Sequence, residues 1–212
     1  MPELNTFLAF TGIVLAVLLV PGPAVLFVVT RGVSLGVKGG VVSAAGVALG
    51  NAVWAMAAAL GVAAVVAASG RWFSILKIAG GLYLIWLGIQ RFRARDRLES
   101  TDVERGASLR RVFGQGVVVA VLNPKTALFF VALLPPFITP GNGPVWIQGL
   151  ILGLWFSTVG LITDSSYATF AGGVGRPVLM RTIGSRAGNR VVGTTYIGLG
   201  AAALVSGSRS GD

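Results

Sequence analysis

Two ionisable residues, Lys125 and Asp164, lie deep within apolar sequence. Lys125 follows Asn123-Pro124, about fourteen residues into an apolar stretch that begins near Val112. A fixed cation beside a helix N-terminus, where aligned backbone dipoles already favour negative charge, suits a carboxylate. Asp164 follows Thr163 and precedes Ser165, Ser166 and Tyr167, about twenty residues into the stretch from Val145. An acid there suits an ammonium, another cation or a proton, or else lies near the cytoplasmic end of its span and simply meets water. A charge at the bilayer centre costs ~2.5–3.5 kcal/mol on insertion scales, so it normally faces a cavity or a partner. The chain has neither histidine nor cysteine, which argues against soft or borderline metals and against a disulfide framework. No nucleophile–base pair, paired carboxylates, HExxH or phosphate loop is found, so no enzyme chemistry or cofactor is expected.

Proline marks where these charges are held. Pro21-Gly22-Pro23 interrupts the first long apolar segment, and Asn123-Pro124-Lys125 interrupts the fourth at the matching place. A proline inside a helix removes a hydrogen bond and clashes with the preceding turn, at ~3 kcal/mol or more. In a membrane the freed backbone groups survive only when protein buries them or a wet cavity solvates them. Paired breaks in corresponding segments point to a substrate site near the midplane. The candidate site residues are therefore Pro21, Gly22, Pro23, Asn123, Pro124, Lys125 and Thr126, with Gly22 permitting close approach. Asn51 and Tyr167 are added from neighbouring spans, and Asp164 as the coupling acid. Gln148, Ser157, Thr158 and Thr163 could line the route, although Ser and Thr in spans more often bond their own helix. The tryptophans, Trp54 among them, are more simply explained as interfacial anchors and packing.

The positioning elements are six apolar runs long enough to span a bilayer. They cover about Leu4–Thr30, Gly39–Ser69, Trp72–Gln90, Val112–Phe137, Val145–Val174 and Asn189–Ser206. A hydrophobic fraction of 54% with 11% charged residues, and mean hydropathy of +0.82, exclude a soluble domain. The start, Pro2-Glu3-Leu4-Asn5, lacks the basic region of a signal peptide, so the first segment is expected to remain in the mature protein. The net charge of +10 does not imply nucleic acid, because the arginines crowd alternate connections. The first, third and fifth connections carry nearly all of them, including seven between Arg91 and Arg111. Positive-inside bias then places those connections in the cytoplasm and both termini outside. Lys77, near the start of the third span, is expected to snorkel to the outer headgroups.

The breaks belong to a wider internal repeat. Gly46 and Gly50 correspond to Gly149 and Gly153, each pair in the spacing that lets helices approach closely. Lys77-x-x-Gly80-x-x-Tyr83 corresponds to Arg190-x-x-Gly193-x-x-Tyr196. Three spans per half reverse the second half across the membrane. The expected architecture is all-α: one polytopic domain over 1–212, its six spans a 3+3 inverted repeat with helices 1 and 4 broken. Repeat A covers about 4–90, a cytoplasmic loop about 91–111, and repeat B about 112–206.

At these residues the chain resembles the LysE/RhtB family of bacterial amino-acid exporters. The likeness is carried by Pro21-Gly22-Pro23, by Gly46-x-x-x-Gly50 and by Lys77-x-x-Gly80-Gly81-Leu82-Tyr83-Leu84-Ile85-Trp86-Leu87-Gly88. It continues in Asn123-Pro124-Lys125, Phe129 through Leu134, Pro135 and Phe137. The resemblance implies efflux of amino acids or close derivatives across the inner membrane, driven by proton exchange, with self-association. The acid of the fifth span stands about one turn later here, relative to Tyr167, than in the family's pattern. That shift keeps the helix face and changes the depth. With one candidate carboxylate, a neutral amino acid (threonine, homoserine or a branched-chain type) is expected rather than lysine. The alternatives are export of another small solute or cation, and a non-transporting membrane scaffold.

Overall fold

The computed structural model describes residues 3–68, 108–139 and 141–174, with isolated positions 78, 82, 85, 86, 89, 190, 194, 197, 198 and 201. Apart from those positions, the expected third and sixth spans lie outside the described residues. So do Lys77 and the connection 91–107. All described elements are helical. Among the described residues two helices, Pro23–Gly61 and Val145–Gly173, are long and apolar enough to cross a bilayer, and the bent pair Leu109–Val121 with Pro124–Phe137 makes a third when counted as one span.

Helix α1 (Leu4–Leu18) ends where the sequence runs out of backbone donors. The Leu19 and Val20 amides still reach Leu15 and Val17, but Pro21 has none to give. Pro23 then opens α2 (Pro23–Ala68) at a first-turn position where its fixed φ and missing N–H suit a helix start.

α2 is not one rod. Gly36 adopts φ 72° and ψ 179°, backbone that is essentially restricted to glycine. Along a straight helix Gly32 and Gly40 would stand ~12 Å apart. Here a Cβ added to Gly40 would lie 2.9 Å from the Gly32 Cα. The chain therefore doubles back at Gly36, within the expected connection between the first two spans. Helix continues on both sides of it, so that connection is a single residue.

α3 (Leu109–Val121) begins at Ser108, whose hydroxyl accepts from the Arg111 amide. It stops at Leu122-Asn123, and α4 (Pro124–Leu128) starts at Pro124. A π-helical turn, Phe129–Leu133, and a 3₁₀ turn, Pro135–Phe137, continue the path. The two sides of this break are inclined by 48°. α5 is unbroken over Val145–Val174, the bounds expected for the fifth span.

Small residues set the packing of α2 against its neighbours. Gly46 and Gly50 lie on α3, where an added Cβ at Gly50 would be 2.7 Å from the Val117 carbonyl oxygen. Gly149 and Gly153 meet Ala59 and Ala55, with the Ala55 Cα 3.0 Å from a Cβ at Gly153. The order of these contacts makes the second part of α2 parallel to α3 and antiparallel to α5, as alternating passes through a membrane require. At Gly46 an added methyl would collide with the backbone oxygen of Phe113, which no rotamer change relieves. Gly46→Ala is expected to cost about 1–3 kcal/mol by overpacking and to lower the melting temperature in detergent. Gly61→Ala, with nothing within 4 Å among the described residues, should leave it unchanged or raised. Equal melting of the two variants would contradict this packing.

On one side of the breaks the core is aromatic. Phe10, Phe129, Phe130 and Phe156 are buried together, with the Phe129 and Phe156 rings stacked at 4.2 Å. On the other side it is built of small residues: Ala24, Val28, Ala44, Val47, Ala120 and Ala168.

Candidate functional site

Each break strands backbone carbonyls that the next helical turn would otherwise have bonded. At the first, the Val20 oxygen faces the buried interior and the Leu19 oxygen lies at the exposed edge of the break. The Lys125 Nζ donates to the Val20 oxygen at 2.6 Å, and the Tyr167 hydroxyl donates to the Leu19 oxygen at 3.0 Å. At the second, the Trp54 indole N–H donates to the Val121 oxygen at 3.0 Å. The Asn123 side chain caps α4, accepting from the Lys125 amide at 3.1 Å. Donors from α2, α4 and α5 thus close both breaks.

The two breaks also touch directly. A Cβ placed on Gly22 would lie 3.3 Å from the Lys125 Cδ, so the lysine stem runs along Gly22 and fills the gap between the kinks. Lys125 is 9% exposed and Asp164 3%, and the acid lies within Coulombic range of Lys125 and Tyr167. A buried cation and a buried acid so placed can bind the two ends of a zwitterion. They can equally neutralise each other when none is present.

Of the residues singled out from sequence, the structure gathers Pro21, Gly22, Asn123, Pro124, Lys125, Asp164 and Tyr167 around the breaks. Pro23 opens α2, and Thr126 is buried beside Lys125 on α4. Asn51 is buried on α2 against Gly160 of α5, one turn before Asp164. Others serve the helices themselves. Ser157, Thr158 and Thr163 donate to carbonyls of their own helix. Gln148 ties down the 139–143 connection through the Thr139 backbone and the Gly143 oxygen.

Sequence reasoning missed Trp54 as part of the site. A signal was available: an indole N–H inside a span needs an acceptor, and a broken helix offers one. Arg31, read as a topogenic charge, donates to the Gln115 side chain at 3.0 Å and lies over the Phe27 ring. A groove of about 640 Å³ is lined by Leu161, Ile162, Ser165, Ser166, Thr169 and Phe170. These residues fall on the side of α5 opposite Asp164, so the groove is separate from the broken-helix site.

Apolar helices interrupted twice around a buried lysine and a buried acid define a helical membrane protein. The chain belongs to the LysE type translocator family, which it matches over residues 15–207, and this bears out the resemblance carried by the two proline motifs. It is 35% identical over 151 residues to the homoserine/homoserine lactone efflux protein of Salmonella typhimurium, covering 71% of this chain and 73% of that one. It is 29% identical over 189 residues to the leucine efflux protein of Klebsiella pneumoniae, covering 87% and 88%. An uncharacterized membrane protein of Vibrio cholerae is 30% identical over 198 residues, covering 93% and 96%. No solved structure gives a significant match.

Proposed function

We propose that this protein exports neutral amino acids or close derivatives, of homoserine, threonine or branched-chain type, across the bacterial inner membrane in exchange for protons. The observation that carries the reading is the Lys125 bond to the Val20 oxygen, a buried cation spanning two helix breaks. In this reading the substrate carboxylate replaces the Val20 carbonyl on Lys125, which frees the breaks to part. The ammonium is held at Asp164, and a proton arriving from outside later displaces it. The efflux proteins related to this chain support the substrate class. Homoserine and its lactone share an amino group, and only the open form has a free carboxylate.

The frame that we propose is the six-span inverted repeat with both termini outside. The charge distribution along the chain and the alternating directions of α2, α3 and α5 support it. Proteoliposomes loaded with homoserine or leucine and given an inward proton gradient should lose the amino acid several-fold faster than protein-free vesicles. Efflux that is the same with and without the protein would overturn the reading.

A further inference from the structure

We propose that Asn51 selects the substrate by its ammonium group, so that the site demands a protonated amine and tolerates loss of the carboxylate. The inference rests on the export reading. It turns on which buried polar groups already have partners in the substrate-free protein.

Lys125 and Tyr167 are both occupied, on the Val20 and Leu19 oxygens. A substrate lacking a carboxylate therefore strands neither donor, because the lysine can stay on its carbonyl. Asn51 differs. It is 3% exposed, and its Oδ1 is buried with no hydrogen-bond partner among the described residues. An unmet acceptor in a protein interior is a standing cost that only an incoming donor removes.

The placement of Asn51 says which donor. A Cβ added to Gly160 would lie 3.3 Å from the Asn51 Nδ2 and 3.7 Å from Leu18, the last residue of α1. The amide thus sits where the end of α1, the middle of α2 and α5 converge. Asp164 is one turn along the same face of α5, where side chains four residues apart begin about 5–6 Å from each other. The contact of the amide with Gly160 is through its donor Nδ2, which leaves the unmet Oδ1 for a donor from the substrate, and we place the ammonium, with its three N–H groups, between that oxygen and Asp164. The neutral amide keeps its acceptor when Asp164 takes up a proton. Asn51 therefore reads the amine in both states of the acid.

The test is displacement of tritiated leucine or homoserine from the purified full-length protein in detergent, with melting temperatures measured alongside. Leucinamide and homoserine lactone keep the amine and lack the carboxylate. 4-Methylpentanoate and 4-hydroxybutyrate keep the carboxylate and lack the amine. In the wild type the amines should compete within about threefold of the parent amino acid, and the amine-free acids ~10- to 100-fold more weakly, as loss of a hydrogen-bonded charged group predicts. Asn51→Leu should weaken the amino acid by a similar ~10- to 100-fold and leave the amine-free acids unaffected. It should also raise the melting temperature, because it removes a buried unmet acceptor.

Amine-free acids that compete as well as the amino acid, or amines that fail to compete, would overturn the inference. So would an Asn51→Leu variant with unchanged affinity. A lower melting temperature for that variant would also overturn it, since that marks an amide needed for folding. If the wild type binds neither amino acid, the export reading falls, and the direction of the melting shift still decides Asn51.

Discussion

Lys125→Met should abolish gradient-driven export and also destabilise the protein. Methionine keeps the length of the side chain and removes its charge and donors. The Val20 oxygen then loses its 2.6 Å partner at a point where the break between α1 and α2 removes the amide that a continuous helix would have supplied. A buried acceptor left unmet costs about 1–3 kcal/mol. Asp164 loses the nearby cation as well. Without the cation the substrate carboxylate no longer parts the breaks, so export should fall to the protein-free rate while the amino acid still binds. Flux from loaded proteoliposomes and melting in detergent measure the two effects separately. The double variant Lys125→Met with Asp164→Asn removes both charges. It should regain part of the lost stability, because neighbouring groups couple non-additively, while export stays absent. Wild-type flux in Lys125→Met would remove the lysine from the mechanism. A double variant no more stable than Lys125→Met would show that the two charges do not depend on each other.

The positions of the breaks were legible because their cause is local. Pro21, Pro23 and Pro124 have no N–H, and a helix reaching them must stop wherever neighbours are arranged. The ends at Leu18 and Val121 follow directly. α5 was legible from end to end, since an apolar run of its length without proline has no reason to stop. The partners of the stranded carbonyls were not legible. Carbonyl oxygens are the same at every residue, and which donor arrives depends on how four helices pack. Lys125 could be read as a deep cation, but its grip on Val20, 105 residues earlier, is a tertiary fact. The same holds for Trp54, whose size and apolar setting suggest packing until the Val121 oxygen stands opposite its indole. The single-residue turn at Gly36 was hidden for another reason. Helix forms on both sides of it although Val33, Ser34, Val37 and further glycines are weak helix formers, and only the positive φ of one glycine among several separates the two helices.

Asp164→Asn should leave a carrier that exchanges amino acid without responding to the proton gradient. Asparagine nearly preserves shape, so the close contact between Gly160 and Asn51 and the Tyr167 bond to Leu19 should survive. The side chain that can alternate between a proton and an ammonium is gone. Asp164 is the acid buried among the described residues, 3% exposed. Wild-type vesicles are expected to export faster as the external pH is lowered. In Asp164→Asn, the rate should be flat across the same range, while exchange of labelled for unlabelled amino acid continues at a rate lower by about tenfold, the loss of one charge-assisted hydrogen bond. Exchange that persists while coupling disappears separates a coupling acid from one needed only for folding, because a folding defect suppresses both. Gradient-driven export at full rate in Asp164→Asn would exclude the acid as the proton carrier and leave Lys125, with the breaks that it joins, to account for transport.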